Sequence, residues 1–228
     1  MDEWIAGLSE GASIGVVILV AVLLGVRHAT DPDHIAAVST LVAAGRERAT
    51  GAAARLGLWW GLGHAVTLVV FGIPILVAER YLPENVQRGA ESAVAALIVF
   101  LGVRLLVRWR HGAFERLGAE SDDHAHPVRT SHGAFGIGLV HGMGGSAGVG
   151  VLLLAAIPSR DVAIAALLVL ALFTAVSMTL VTTGFGAVLG ANGTRGAVAA
   201  VAPGLGVASL AFGLWYAAAA WSLAPYPF

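Results

Sequence analysis

The stretch "IGVVILVAVLLGVRHATDPDH" (residues 14–34) passes from an unbroken apolar run into eight residues that carry five ionisable side chains. An α-helix needs about 20 mainly apolar residues to cross a bilayer, so the run is predicted to form a membrane span. Ionisable side chains at membrane depth are costly and usually serve a function. This stretch therefore predicts both the fold class and the place of the functional site.

The composition of the whole chain agrees with a membrane protein. Of its 228 residues, 57% are hydrophobic and 12% are charged, and the mean hydropathy is +0.83. Soluble domains are about one quarter charged. A net charge of −1 offers no basic surface for nucleic acid, so no nucleic-acid partner is expected. Because the chain has no Cys, any metal site must use His, carboxylate or backbone oxygen.

The spans are expected to be helices, because the apolar runs are continuous rather than alternating as in a barrel. The acidic N-terminus lacks the basic region of a signal peptide, so the first run is expected to be retained. The segment 33–45 is short, and it either continues the first helix past a kink or forms a re-entrant half-helix. Six spans are predicted, at about 12–30, 56–78, 90–108, 133–157, 161–190 and 196–223.

Arginine is concentrated in alternate connections, which predicts the orientation of a multi-pass protein in the cell membrane. The 46–55, 109–132 and 191–196 connections carry Arg and are predicted to be cytoplasmic. The 79–91 connection mixes Glu with Arg and is predicted to lie outside. Both termini are then also expected outside.

Three short similarities suggest an internal repeat. "GVRHA" (25–29) matches "GLVHG" (138–142), and "TLVVFG" (67–72) matches "TLVTTG" (179–184). "FLGVRLL" (100–106) matches "AFGLWYA" (211–217), and all three pairs are 111 to 113 residues apart. Three spans per half would make the halves inverted repeats, a common plan in secondary transporters. Chance similarity among Gly-, Val- and Leu-rich helices is the alternative.

The repeat predicts three regions. Residues 1–108 would form the first three-helix repeat, which carries the metal motif. Residues 109–132 would form a cytoplasmic linker that contains histidines. Residues 133–228 would form the second three-helix repeat.

The polar end of the opening stretch has the composition of a metal site. Pro32 cannot continue a helix, so the first helix is predicted to break near it and to free the His28 carbonyl. Imidazole together with carboxylate suits nickel, cobalt or zinc. The alternative is a solvated cluster at a helix end, with Arg27 paired to a nearby Asp. The candidate ligands in this stretch are His28, Asp31, Asp33 and His34.

Two further histidines are candidates because they lie inside other predicted spans. His64, in "GLGHAVTLVV" (61–70), is expected to face the first cluster; alternatively it is a core histidine bonded to Thr67. His141, in "GLVHGMGGSAGVG" (138–150), is expected to form the opposite wall, or else a helix-packing surface. In the fifth span, five hydroxyl side chains either line a hydrated path or bond to their own helix. In the linker, weak transient metal binding is expected of His111, His124, His126 and His132.

Two motifs resemble those of the nickel/cobalt transporter (NiCoT) permeases. "RHATDPDHI" (27–35) is similar to the His-x4-Asp-His signature of that superfamily, and "GHAVTLVVFG" (63–72) resembles its second signature. In length and in its Gly-rich motif the chain is most similar to the short six-span urease-accessory (UreH-like) members. The resemblance implies that His28, Asp33 and His34 bind the metal and that His64 assists.

The expected function is therefore a secondary permease that moves Ni²⁺ or Co²⁺ across the inner membrane, with import implied by the resemblance. No prosthetic group is expected, and the absence of a P-loop motif argues against ATP hydrolysis. A metallochaperone or a nickel-enzyme maturation system is the partner that the resemblance suggests. One alternative is an intramembrane zinc metalloenzyme, although the sequence contains no HExxH motif. The other is an exporter of metal or of a small anion.

Overall fold

The computed structural model describes residues 14–43, 50–78, 83–112, 130–144, 151, 154–190 and 195–225. In these residues the chain is helical, with seven helices of 11 residues or more and no strand. The predicted all-α class is thus confirmed. The helices are α1 (Ile14–His28), α2 (Pro32–Ala43), α3 (Thr50–Ala78), α4 (Glu84–Arg110), α5 (Ser131–His141), α6 (Arg160–Gly190) and α7 (Arg195–Ala220).

The break near Pro32 occurs as predicted. α1 ends at His28, α2 begins at Pro32, and the two helices are bent by 46°. Proline suits the first position of a helix, because a backbone N–H at that position would have no acceptor within the helix. The expectation of a freed His28 carbonyl was wrong, because this oxygen accepts a hydrogen bond from the Asp31 N–H at 3.1 Å. The connecting turn satisfies the backbone, and the site depends on side chains.

Among the described residues, four helices are long and apolar enough to cross a membrane, and the bent α1–α2 pair raises the number to five. The four are α3, α4, most of α6 and most of α7. Their outward faces carry large apolar side chains such as Val70, Phe100 and Leu180. A lipid-facing surface explains this exposure, so the chain is a multi-pass membrane protein.

The predicted span at 133–157 is described only in part. α5 ends at His141 and is followed by a turn at 142–144, and residues 145–150 lie outside the described part of the chain. The backbone N–H of Gly142 donates to the Gly138 carbonyl at 2.9 Å, which closes the helix. His141 therefore stands at a helix end, as His28 does.

Glycines allow the helices around the site to approach very closely. A Cβ at Gly63 of α3 would overlap the Phe135 carbonyl oxygen, and a Cβ at Gly138 of α5 would overlap the Trp60 carbonyl oxygen. Small residues at such crossings are typical of helix packing within membranes. Thr67 Oγ1 reinforces this crossing by donating to the Leu139 carbonyl at 3.0 Å. The α3–α5 contact brings two predicted site histidines, one from each helix, to the same depth.

Four of the five hydroxyl side chains of α6 form hydrogen bonds, and these bonds are of two kinds. Three hydroxyls donate to the carbonyl four residues earlier in the same helix: those of Thr179, Thr182 and Thr183. For these three, the alternative prediction of bonds within their own helix is confirmed. Ser177 instead donates to the Gly25 carbonyl of α1 at 3.2 Å. Because the last carbonyls of a helix lack intrahelical partners, this bond helps to stabilise the broken end of α1.

Candidate metal centre

The site lies where the break between α1 and α2 meets α3 and α5. Its six side chains come from helix ends and helix interiors that are far apart in sequence. All six residues are at most 7% exposed, and Asp33, His64 and His141 are fully buried. Buried ionisable side chains are rare unless they are paired or bind a metal. The six are His28, Asp31, Asp33, His34, His64 and His141.

One group of donors consists of three imidazoles. Nε2 of His28 lies 2.9 Å from Nε2 of His64, which comes from α3. His34 completes the group, and one nitrogen from each of the three rings lies within 4.8 Å of the others. Three imidazoles at this spacing form a set that can hold a divalent transition metal.

A second group contains a carboxylate. Oδ1 of Asp33 lies 3.1 Å from Nδ1 of His34, and Oδ2 of Asp33 lies 3.3 Å from Nε2 of His141. The donor atoms of these three residues also lie within 4.8 Å of one another. His34 thus belongs to both groups.

Asp31 lies at the edge of the cluster rather than at its centre. Its Oδ2 lies 3.2 Å from Nδ1 of His28, and its Oδ1 lies 3.5 Å from the guanidinium of Arg27. A carboxylate on one ring nitrogen fixes the tautomer and leaves the other nitrogen to face a metal. Asp31 is thus suited to orient His28. The ion pair between Arg27 and Asp31, which the alternative hypothesis of a solvated cluster predicted, is present together with the histidine cluster.

Several buried polar atoms of the centre lack a hydrogen-bond partner among the described residues. They are Nε2 of His34, Nδ1 of His64, Nδ1 of His141 and Nε1 of Trp60. Buried polar atoms in folded proteins nearly always have a partner. Three ring nitrogens of one cluster are therefore available to a cation or to water.

The sequence-based candidates meet in space, and their role as metal ligands stays a prediction. His64 approaches His28 rather than bonding to Thr67, whose hydroxyl donates to the carbonyls of Gly63 and Leu139. Of the linker histidines, His111 and His132 are exposed on the surface. His124 and His126 lie outside the described residues, as does most of the predicted linker.

Trp60 is a member of the centre that the sequence did not reveal. Its ring centroid lies 5.8 Å from that of His34 and 5.7 Å from that of His141, and its side chain is 1% exposed. Trp60 lies four residues before His64 in α3, which places both on one helix face. That spacing is the signal by which it could have been found.

Two curated proteins resemble parts of the chain. The urease accessory protein UreH of Bacillus sp. (strain TB-90) is 30% identical over 139 residues, which cover 58% of this chain and 59% of that protein. The high-affinity nickel transport protein of Cupriavidus necator is 28% identical over 133 residues, which cover 51% of this chain and 36% of that protein. The chain thus matches between about one third and three fifths of the length of these relatives. No solved structure matches it.

A family comparison covers more of the chain. The sequence profile of the NicO family, described as high-affinity nickel-transport proteins, matches residues 14–191. This range includes the two signature-like motifs at 27–35 and 63–72 and all six residues of the centre. The predicted resemblance to nickel/cobalt transporters and their UreH-like relatives is confirmed, and a family of transport proteins does not support the zinc-enzyme alternative. The chain belongs to the NicO family of high-affinity nickel-transport proteins.

Proposed function

We propose that this protein is a secondary transporter that moves Ni²⁺ or Co²⁺ across the cytoplasmic membrane through the buried His/Asp cluster. The observation that carries the proposal is the approach of His28 to His64, with Nε2 atoms 2.9 Å apart, inside a chain of membrane-spanning helices. Ionisable groups enclosed within membrane helices mark ion pathways. Membership of a nickel-transport family supports nickel as the substrate.

The donor set supports a borderline divalent ion. The six proposed ligands and supporting residues are His28, Asp31, Asp33, His34, His64 and His141. Imidazole suits nickel, cobalt and zinc, whereas the harder ions Mg²⁺ and Ca²⁺ favour sites made of oxygen. With four imidazoles and two carboxylates, the centre favours the first class. Its nitrogen-rich chemistry accommodates both Ni²⁺ and Co²⁺.

We further propose six spans arranged as two inverted repeats, residues 1–108 and 133–228, joined by a linker at 109–132. The helix pairing supports this proposal. α3 packs on α6 and α4 packs on α7, and each pair joins helices at corresponding places in the two halves. α1 packs on α6, and its counterpart α5 packs on α3. These four pairings map onto one another when the two halves are exchanged, as a two-fold relation requires.

The glycines of the repeated motif support the same relation. Gly25 and Gly138 occupy corresponding positions in "GVRHA" and "GLVHG". A Cβ at Gly25 would lie 2.8 Å from the Leu170 carbonyl oxygen of α6, and a Cβ at Gly138 would overlap the Trp60 carbonyl oxygen of α3. Each glycine thus packs against the backbone of the opposite half. Relative movement of two such halves would provide alternating access.

We propose uptake as the direction, because high affinity for nickel suits a protein that captures a metal present at low concentration. An exporter of metal or of a small anion is the alternative. The similarity to a urease accessory protein supports delivery of nickel to a maturation system or metallochaperone in the cytoplasm.

The direct test is metal flux through the purified protein. Proteoliposomes would be loaded with a metal-sensitive dye, and entry of Ni²⁺, Co²⁺, Zn²⁺ and Mg²⁺ would be followed in turn. We expect Ni²⁺ and Co²⁺ to enter and Mg²⁺ to be excluded. No flux of any transition metal would overturn the proposal. Accumulation or depletion of nickel in cells that express the protein would decide the direction.

A further inference from the structure

His34 lies between two histidines that come from opposite halves of the chain. Its ring centroid is 4.5 Å from that of His28 and 4.4 Å from that of His141. The rings of His64 and His141 are farther apart, at 6.0 Å. The donor atoms that lie within 4.8 Å of one another form two three-residue groups, and His34 belongs to both.

We propose that a single divalent ion occupies two alternative positions in this cluster and passes between them while His34 stays within reach of both. The first position is formed by His28, His34 and His64, and the second by Asp33, His34 and His141. This inference rests on the proposed transport function and specifies how the ion crosses the centre.

The charge of the cluster favours one ion at a time. Its acidic side chains are Asp31 and Asp33, and Asp31 also interacts with Arg27. One divalent cation neutralises two carboxylates. A second cation would leave an excess of at least two positive charges in a buried site, and an uncompensated buried charge is strongly unfavourable. Simultaneous occupation of both positions is thus disfavoured.

The two positions differ in which half of the chain completes them. His28 and His141 occupy corresponding places in the repeated motif, and each joins His34 in only one group. The first position is built entirely from the N-terminal half, whereas the second needs His141 of α5. Movement of α5 relative to α1 and α2 would therefore alter the second position and leave the first intact. Because His34 offers a donor atom to both groups, the ion would have this residue as a neighbour in either position.

The positions also differ in donor chemistry, which makes them distinguishable. The first offers three nitrogens, and the second offers two nitrogens and a carboxylate oxygen. Trp60 borders His34 and His141, so its indole lies beside the second position. The d–d absorption of Co²⁺ responds to the donor set. A Co²⁺ ion should therefore give a different spectrum in each position.

The test uses Co²⁺ and the purified full-length protein in detergent, with equilibrium dialysis for stoichiometry and absorption for the donor set. The wild type should bind one Co²⁺. His64→Leu leaves only the second position and His141→Leu only the first, so each should still bind one ion, with spectra that differ from each other. Transport by both variants should be lost. His34→Leu and the double variant should bind at least about 100-fold more weakly.

Three outcomes would overturn the inference: two Co²⁺ ions in the wild type, complete loss of binding in either single variant, or an unchanged spectrum and flux in His141→Leu. The corresponding Ala variants, checked for helix content and a single gel-filtration peak, separate loss of a ligand from misfolding. Failure of wild-type flux would instead overturn the transport proposal. The two failures are thus distinct.

Discussion

Nε2 of His141 lies 3.3 Å from Oδ2 of Asp33, so a residue of α5 meets a residue of the first motif in the interior of the protein. Asp33 in turn contacts His34 at 3.1 Å. The carboxylate therefore connects the two halves of the chain at the centre. Because each proposed ligand has a defined neighbour, the consequences of replacing it can be stated individually.

Replacement of His34, the histidine shared by both three-residue groups, should strongly weaken nickel binding. We expect His34→Ala to weaken Ni²⁺ binding at least about 100-fold, because both three-residue groups lose a donor. His28→Ala should abolish transport, because it removes the partner of His64. Calorimetry on the purified variants and flux in proteoliposomes measure these effects. The control is His132→Ala, which replaces an exposed histidine at the start of α5 and should behave as wild type. Normal transport by both His34→Ala and His28→Ala would show that the site lies elsewhere.

Asp31 should raise the affinity of the site for Ni²⁺ without being a ligand of the ion. Asp31→Asn keeps the shape of the side chain but removes the charge that orients Nδ1 of His28. Loss of such a supporting carboxylate typically weakens metal affinity about 10–100-fold. Titration should therefore show weaker Ni²⁺ binding with unchanged stoichiometry. The matched control is Asp161→Asn, on the exposed first turn of α6. If Asp31→Asn bound Ni²⁺ as tightly as this control, Asp31 would not support the metal site.

The α3–α5 crossing should not tolerate a single methyl group. Gly63→Ala and Gly138→Ala each place a Cβ against a backbone oxygen of the opposing helix, which cannot move as a side chain would. Overpacking of this kind costs about 1–3 kcal/mol. We expect a lower thermal midpoint in detergent and weaker Ni²⁺ binding, because the crossing aligns His64 with His141. Gly136→Ala, where a Cβ meets nothing within 4 Å, is the control and should leave both properties unchanged.

The proposed six-span topology can be tested with single cysteines, since the chain has none of its own. Gly51→Cys and Gly89→Cys place thiols at positions where a Cβ meets nothing within 4 Å. An impermeant maleimide should label Gly89→Cys from outside intact cells and should label Gly51→Cys only after the membrane is opened. His111→Cys should behave like Gly51→Cys. Labelling of all three from the same side would refute the alternation of connections.

Much of the site could be predicted from the sequence because its chemistry stands out against an apolar background. Five ionisable residues within 27–34 are conspicuous beside a membrane span, and Pro32 marks the helix break on steric grounds alone. His64 and His141 are conspicuous for the same reason. The prediction of a freed His28 carbonyl was wrong, because the turn supplies the Asp31 N–H as a new donor to this oxygen and the sterics of Pro32 do not reveal that donor.

The sequence by itself determined that the chain is helical and lipid-embedded, where its first helix breaks, and which side chains are the candidates for a metal site. These properties follow from local composition, since apolar length and proline geometry act within one segment. Only the tertiary structure decided that His34 serves two groups, that Trp60 borders the second group, and that Asp33 faces His141. Those relations depend on how closely α3 and α5 cross, and that distance is set by glycines packing against distant backbone, which no single segment encodes.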